Sequence, residues 1–210
     1  MRQNQAEQTE QFQATARAIG EHLEGWTYRR PHEDYPQHNA FFDGPDGATF
    51  YLHLDVYRGK VETRPQWPKD DGRYMSACDW GALGYNEPEP TCGFTLKRTP
   101  EALARDIGRR FLSEFVRIHS KVMTLRDQRT EDRAKAAKVA ESLANTLGTA
   151  TRRNEYETHV DFPVGFEGYG NVTVTDSSTV TLHVRSVSPQ LAQAIAQTIA
   201  NHHNATQGGE

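Results

Sequence analysis

"TLKRTPEALARDIGRRF" (residues 95–111) runs a short apolar strand into a Thr-Pro step and then into an amphipathic helix, and "HVRSVSPQLAQAIAQTI" (183–199) repeats that order near the C-terminus. Thr99 caps the first helix, with Pro100 at a position where a missing N–H costs nothing; Ser188-Pro189 starts the second. Upstream of the first step, "NAFF-DGPDG-ATFYLHLDV-YRGK-VETRP" separates aromatic and β-branched runs by two turn clusters, the mark of an antiparallel meander. Phe50, Leu52, Leu54 and Val56 alternate with Tyr51, His53 and Asp55, so one sheet face is buried and the other is wetter. Further back, "WTYRR" reads as a strand, and residues 6–23 place Phe12, Ala16, Ile19 and Leu23 at helical spacing before Gly25.

Downstream, Leu103, Ile107, Phe111, Phe115, Ile118, Val122 and Leu125 form one stripe, and Ala136, Val139, Ala140, Leu143 and Leu147 resume it after the charged "RDQRTEDRAK". Unbroken from 100 to 147, this helix would reach roughly 70 Å; a break near residue 128 is the alternative. "NEYETHVDF", "NVTVT" and "TVTLHVRSV" then form a second meander. The fold class is therefore α+β: two antiparallel-meander lobes of α-β-β-β-α pattern, an internal repeat, joined by a long shared helix. The expected divisions are an N-terminal lobe over 1–125 with an irregular insertion at 66–91, the connecting helix at 100–147, a C-terminal lobe over 130–203 and a disordered tail at 204–210.

The 210 residues carry a net charge of −4, and 9 Phe, 8 Tyr and 3 Trp supply enough apolar bulk for two modest cores despite a mean hydropathy of −0.79. That charge supports neither a globally basic nucleic-acid binder nor a DNA mimic. Cys78 and Cys92 are too few for a disulfide framework or a metal cluster, and no apolar run reads as a signal core or approaches the ~20 residues that span a bilayer. The expected setting is the cytoplasm.

No stretch specifies a reaction. "RRPHEDYPQHN" (29–39) offers His32, Glu33, Asp34 and His38 to a metal-dependent hydrolase, yet its spacing matches no helical metal motif and its prolines mark an exposed loop. Neither cysteine has the context of a nucleophile, and the glycine turns lack the strand–loop–helix setting of a phosphate loop. No cofactor, metal or catalytic residue is expected.

Two surfaces point to binding. The insertion at 66–91 has no period and holds Trp67, Tyr74, Met75, Trp80 and Tyr85, residue types that anchor interfaces; some of these rings can instead cap the first core. The helix segment 101–140 carries ten Lys/Arg against six Asp/Glu, with Arg109, Arg110, Arg117, Lys121 and Lys135 as a candidate basic face. Helix–three strands–helix is also the topology of double-stranded RNA-binding domains, so a nucleic-acid module is the alternative reading. The helices that would meet phosphate begin "PEALARD" and "PQLAQA", however, without the lysines such contacts need.

The order "GWT…DG…TFYLHLDVYRGKVE…TLKRTPEALARDIGRRFL" followed by a charged helix, over about residues 25–125, resembles small uncharacterised accessory proteins of bacteriophages and mobile elements. The resemblance brings no catalytic residues. It implies action by binding, in the manner of inhibitors of host-defence complexes such as CRISPR effectors, in the cytoplasm of a bacterial host. The expected partner is a host protein or ribonucleoprotein complex, with nucleic acid on the basic helix as the alternative, no membrane, and a homodimer through the long helix as a further option.

Overall fold

The computed structural model describes residues 2–32, 37–153, 158–164, 168–175 and 179–207. The protein is α+β, with two antiparallel sheets and a long helix. It divides into two compact units, Met1–Asp127 and Gln128–Glu210.

In the first unit, α1 (Arg2–Gly20) precedes a meander of β1 (Thr27–Arg29), β2 (Asn39–Asp43), β3 (Thr49–Asp55), β4 (Lys60–Gln66) and β5 (Cys92–Thr95), whose order in the sheet is their order in the chain. The turns are chemically specified. Asp55 Oδ1 accepts from the amides of Tyr57 and Arg58, and Gly59 takes the left-handed conformation (φ 61°) that closes the β3–β4 hairpin. Alternation along the strands puts Phe42, Phe50, Leu52, Leu54, Val61 and Phe94 on one face, all buried. Phe12, Ala16 and Ile19 of α1 cover that face together with Leu103 and Ile107 of α2 (Pro100–Ile107). Thr99 Oγ1 accepts from the Ala102 amide at 3.3 Å, the cap expected of the Thr-Pro step.

Phe50 sits at the centre of this core. Its ring stacks on Phe42 at 4.8 Å and lies 5.0 Å from Trp26 and 5.1 Å from Phe111, which in turn stacks on Phe115 at 5.1 Å. Trp26 lies so close to Gly44 that a Cβ there would fall 2.5 Å from the indole.

The helix that starts at Pro100 is unbroken to Leu147: α2 passes through one π-type turn, Gly108–Leu112, into α3 (Ser113–Leu147). The apolar stripe explains the turn. Leu103, Ile107, Phe111 and Phe115 follow one another at steps of four, which overrun the 3.6 period by about one residue in total, and a π-bulge absorbs one extra residue.

In the second unit, β6 (Thr151–Arg153), β7 (Thr158–Val164), β8 (Gly168–Val174) and β9 (Val180–Arg185) form a four-stranded meander. Its core is small: Ala136, Ala140 and Ala144 of α3 meet Val160, Val172 and Val174. Phe162 covers its cross-strand partner Gly170, where a Cβ would fall 2.2 Å from the ring. The last helix, α4 (Pro189–Gln207), is capped by Ser188, whose Oγ accepts from the Leu191 amide. The expected disordered tail is corrected in part. The helix continues through 204–207 because no glycine or proline stops it before Gly208, while 208–210 lie outside the described residues.

His119 is buried beside Phe115, and burial pushes its pKa below the usual imidazole value. The folded state therefore binds this proton less readily than the unfolded chain, so stability is complete above about pH 6.5 and declines as pH falls from there toward the depressed value. Urea midpoints at pH 7.5 and 5.5 should differ for the wild type, and less for His119→Leu. Truncation of Phe50 to Ala should cost about 3–5 kcal/mol in urea unfolding. Gly44→Ala, which drives a methyl into Trp26, should cost about 1–3 kcal/mol by overpacking.

Candidate functional site

The helices of the first unit cover one face of its sheet and share their core with it, so the side chains of the opposite parity face away from that core. Arg29, Phe41, Tyr51, His53, Glu62 and Arg64 stand on that outer face, each half-buried or exposed. Phe41 and Tyr51 are cross-strand partners with ring centroids 5.6 Å apart, and the Arg29 guanidinium lies 4.9 Å above Phe41. The same guanidinium bonds Asp43 at 2.7 Å, and this bond holds the Asp43 carboxyl below its usual range. Arg64, opposite Tyr51, pairs with Glu62 at 2.9 Å. His53 Nδ1 is 2.8 Å from Asn39 Oδ1, and its ring meets His38 edge-on at 5.2 Å. Burial, then the nearby Arg64 charge, keeps the His53 pKa below the imidazole norm.

Residues 67–91 border this face as an ordered loop. Asp71 and Gly72 (φ 45° and 83°) make a two-residue turn closed by reciprocal amide bonds between Asp70 and Arg73. Glu89 ties the loop together: its Oε1 accepts from Trp67 Nε1 at 2.8 Å and from the Ala77 amide at 2.9 Å. Between loop and sheet lies a cavity of about 630 Å³ that includes Phe41, Tyr51, Gln66, Tyr74 and Met75 in its walls. Gln66 Oε1 is buried without a hydrogen-bond partner. A second concavity of about 760 Å³ continues along the face past His53, Glu62 and Arg64.

The loop residues chosen from sequence divide sharply. Tyr74 and Tyr85 are 70% and 92% exposed, with Lys69 Nζ 4.1 Å above the Tyr74 ring. Met75 is half-buried against the core. Trp67 and Trp80 are corrected as surface anchors: at 6% and 3% exposure they seal the first core, Trp67 lying 5.4 Å from Phe115. Their indole N–H groups are satisfied inside the protein, by Glu89 and by the Pro68 carbonyl.

The basic helix face is also qualified. Arg117 makes two bonds to Glu114 at 3.0 and 2.6 Å, Arg109 faces Asp106 at 3.7 Å, and Lys121 donates to the Ala82 carbonyl of the loop at 2.8 Å. Arg110 is exposed. Of these four, Arg109 and Arg117 are engaged along the helix itself and Lys121 by the loop.

Among the described residues no three His, Cys, Asp or Glu are grouped as metal ligands; Glu33 and Asp34 of the histidine cluster lie outside those residues. Cys92 is buried, which raises its thiol pKa, and so lacks the thiolate character of a nucleophile. No described helix is long and apolar enough to cross a membrane. Comparison of the chain with protein-family models, with curated proteins and with solved structures finds no match to any of them.

Sequence reasoning passed over Arg29, Phe41 and Arg64, and placed Tyr51 and His53 on the wetter face without giving them a role. One signal was present. In "NAFF" two adjacent aromatics cannot share a face, so Phe41 had to stand opposite buried Phe42.

Glu89→Ala should strand the Trp67 and Ala77 donors and cost about 1–3 kcal/mol. Hydrogen exchange should rise within 67–91 and stay unchanged in β2 and β3.

Proposed function

We propose that the protein is a non-enzymatic binding module whose outer sheet face and 67–91 loop together grip a protein partner. One observation carries the reading: a sheet face left bare by both helices, floored by the Phe41–Tyr51 pair and walled by an internally tied loop bearing exposed Tyr74. Aromatic rings supply large contact area at little entropic cost, and a pre-ordered loop avoids the cost of ordering on binding.

The electrostatics favour protein over nucleic acid. On this face Arg29 is matched by Asp43 and Arg64 by Glu62, so the surface offers aromatic and polar contacts and no net positive field for a polyanion. The nucleic-acid reading, through Arg109, Arg110, Arg117 and Lys121, has less support because three of the four already have acceptors. The resemblance to phage and mobile-element accessory proteins makes a host-defence complex in the bacterial cytoplasm the first partner class to try.

The test is capture from bacterial lysate with and without nuclease, using wild type beside a Tyr51→Ala/Tyr74→Ala variant verified as folded by circular dichroism. The expected result is a protein that survives nuclease, that the variant binds at least tenfold more weakly (about 1.4 kcal/mol), and whose affinity changes little with salt. Recovery of nucleic acid alone, with affinity falling steeply as salt rises and no effect of the variant, would overturn the proposal.

A further inference from the structure

The second unit is one covering helix short. In the first unit α1 and the first part of the long helix, from α2 to Val122 of α3, lie on the core face of the sheet and bury Phe42, Phe50, Leu52, Leu54, Val61 and Phe94. In the second, the rest of α3 does so, and among the described residues neither β9 nor α4 contributes to the core. Cross-strand register puts Val180, Leu182 and Val184 of β9 opposite Val174, Val172 and Gly170, on the face that α3 covers. Val180 and Leu182 are nonetheless 45% and 50% exposed, at the edge of that face.

The same chain carries a helix with an apolar stripe that takes no part in that core. Along α4, Leu191, Ile195 and Ile199 recur at steps of four, and Leu191 and Ile199 are 38% and 64% exposed. No residue of Pro189–Gln207 is Asp, Glu, Lys or Arg, so this exposed helix has none of the charges that normally solvate a surface helix. The β9 positions facing it in kind are Val, Leu and Val, so contact between the two would desolvate no charge.

The connection argues against return to the home sheet. Ser186, Val187 and Ser188 join β9 to α4, one residue fewer than Leu96 to Thr99, which join β5 to α2. Ser186 is also held at φ 57°, a left-handed conformation that a non-glycine residue adopts at a cost. Short strained hinges between an element and its own docking site favour exchange with a second copy. We propose that two copies of this chain exchange α4, each laying Leu191, Ile195 and Ile199 over Val180, Leu182 and Val184 of the other in a two-fold dimer. The surface lies within the second unit and does not depend on the partner face of the first.

Light scattering after size exclusion at micromolar concentration should give the mass of a dimer. Leu182→Asp, and separately Ile199→Asp at a position too exposed to support the fold, should each weaken it about a hundredfold, since each change acts twice across the two-fold axis. Chains carrying Leu182→Cys alone and Ile195→Cys alone, both with Cys78→Ser, should form a mixed disulfide when co-expressed, which closure within one chain cannot produce. A wild-type monomer, a dimer that survives both aspartates, or absence of the mixed disulfide in an intact dimer would each overturn the proposal.

Discussion

The first unit depends on the ring of Phe50. It is the residue at which the sheet, the Trp26 strap and the long helix meet, through contacts to Phe42, Trp26 and Phe111 within about the same 5 Å. Aromatic rings at such separations in stacked and edge-on arrangements add to their area burial, and they restrict the angle at which helix and sheet can pack. The steps of four that bring Phe111 and Phe115 onto this cluster are the same steps that force the π turn into the helix. A local irregularity of the backbone thus follows from the demands of the core.

From that packing the sidedness of the molecule follows. With Phe50, Leu52 and Leu54 committed to the helices, the pleat leaves Tyr51, His53 and their neighbours no place except the outer face. The loop then borders this face because Trp67 at its start and Trp80 midway along it are buried in the core, and Glu89 braces Trp67. The exposed rings Tyr74 and Tyr85 are carried on a frame made rigid by buried ones. Core and candidate surface are two consequences of one alternation.

Much of this was legible in the chain. The meanders, the Thr99 cap, the unbroken helix and the buried face of "TFYLHLDV" all rest on local rules of period, capping and turn chemistry, which act over a few residues and leave a direct imprint. The errors share a different cause. Trp67 and Trp80 lie in a stretch without period, where nothing in composition separates a ring that reaches the core from one that reaches solvent. The arginines of the long helix looked like a basic face because counting charges ignores the carboxylate three residues away. Phe41 was passed over because its partner Tyr51 is ten residues distant and only strand pairing brings them together.

By itself, then, the sequence determined the α+β class, most of the elements in their order and which face of the central strands is apolar, because those depend on alternation, capping and glycine placed within one or two turns of chain; it did not determine β6 or the π turn. Only the tertiary structure decided which aromatic rings remain outside, that Glu89 ties the 67–91 loop together, and that Val180 and Leu182 of β9 and Leu191 and Ile199 of α4 are left exposed. Those outcomes depend on how many helices reach each sheet and on pairs far apart in the chain. Burial is a property of the assembled packing, and no residue carries it alone.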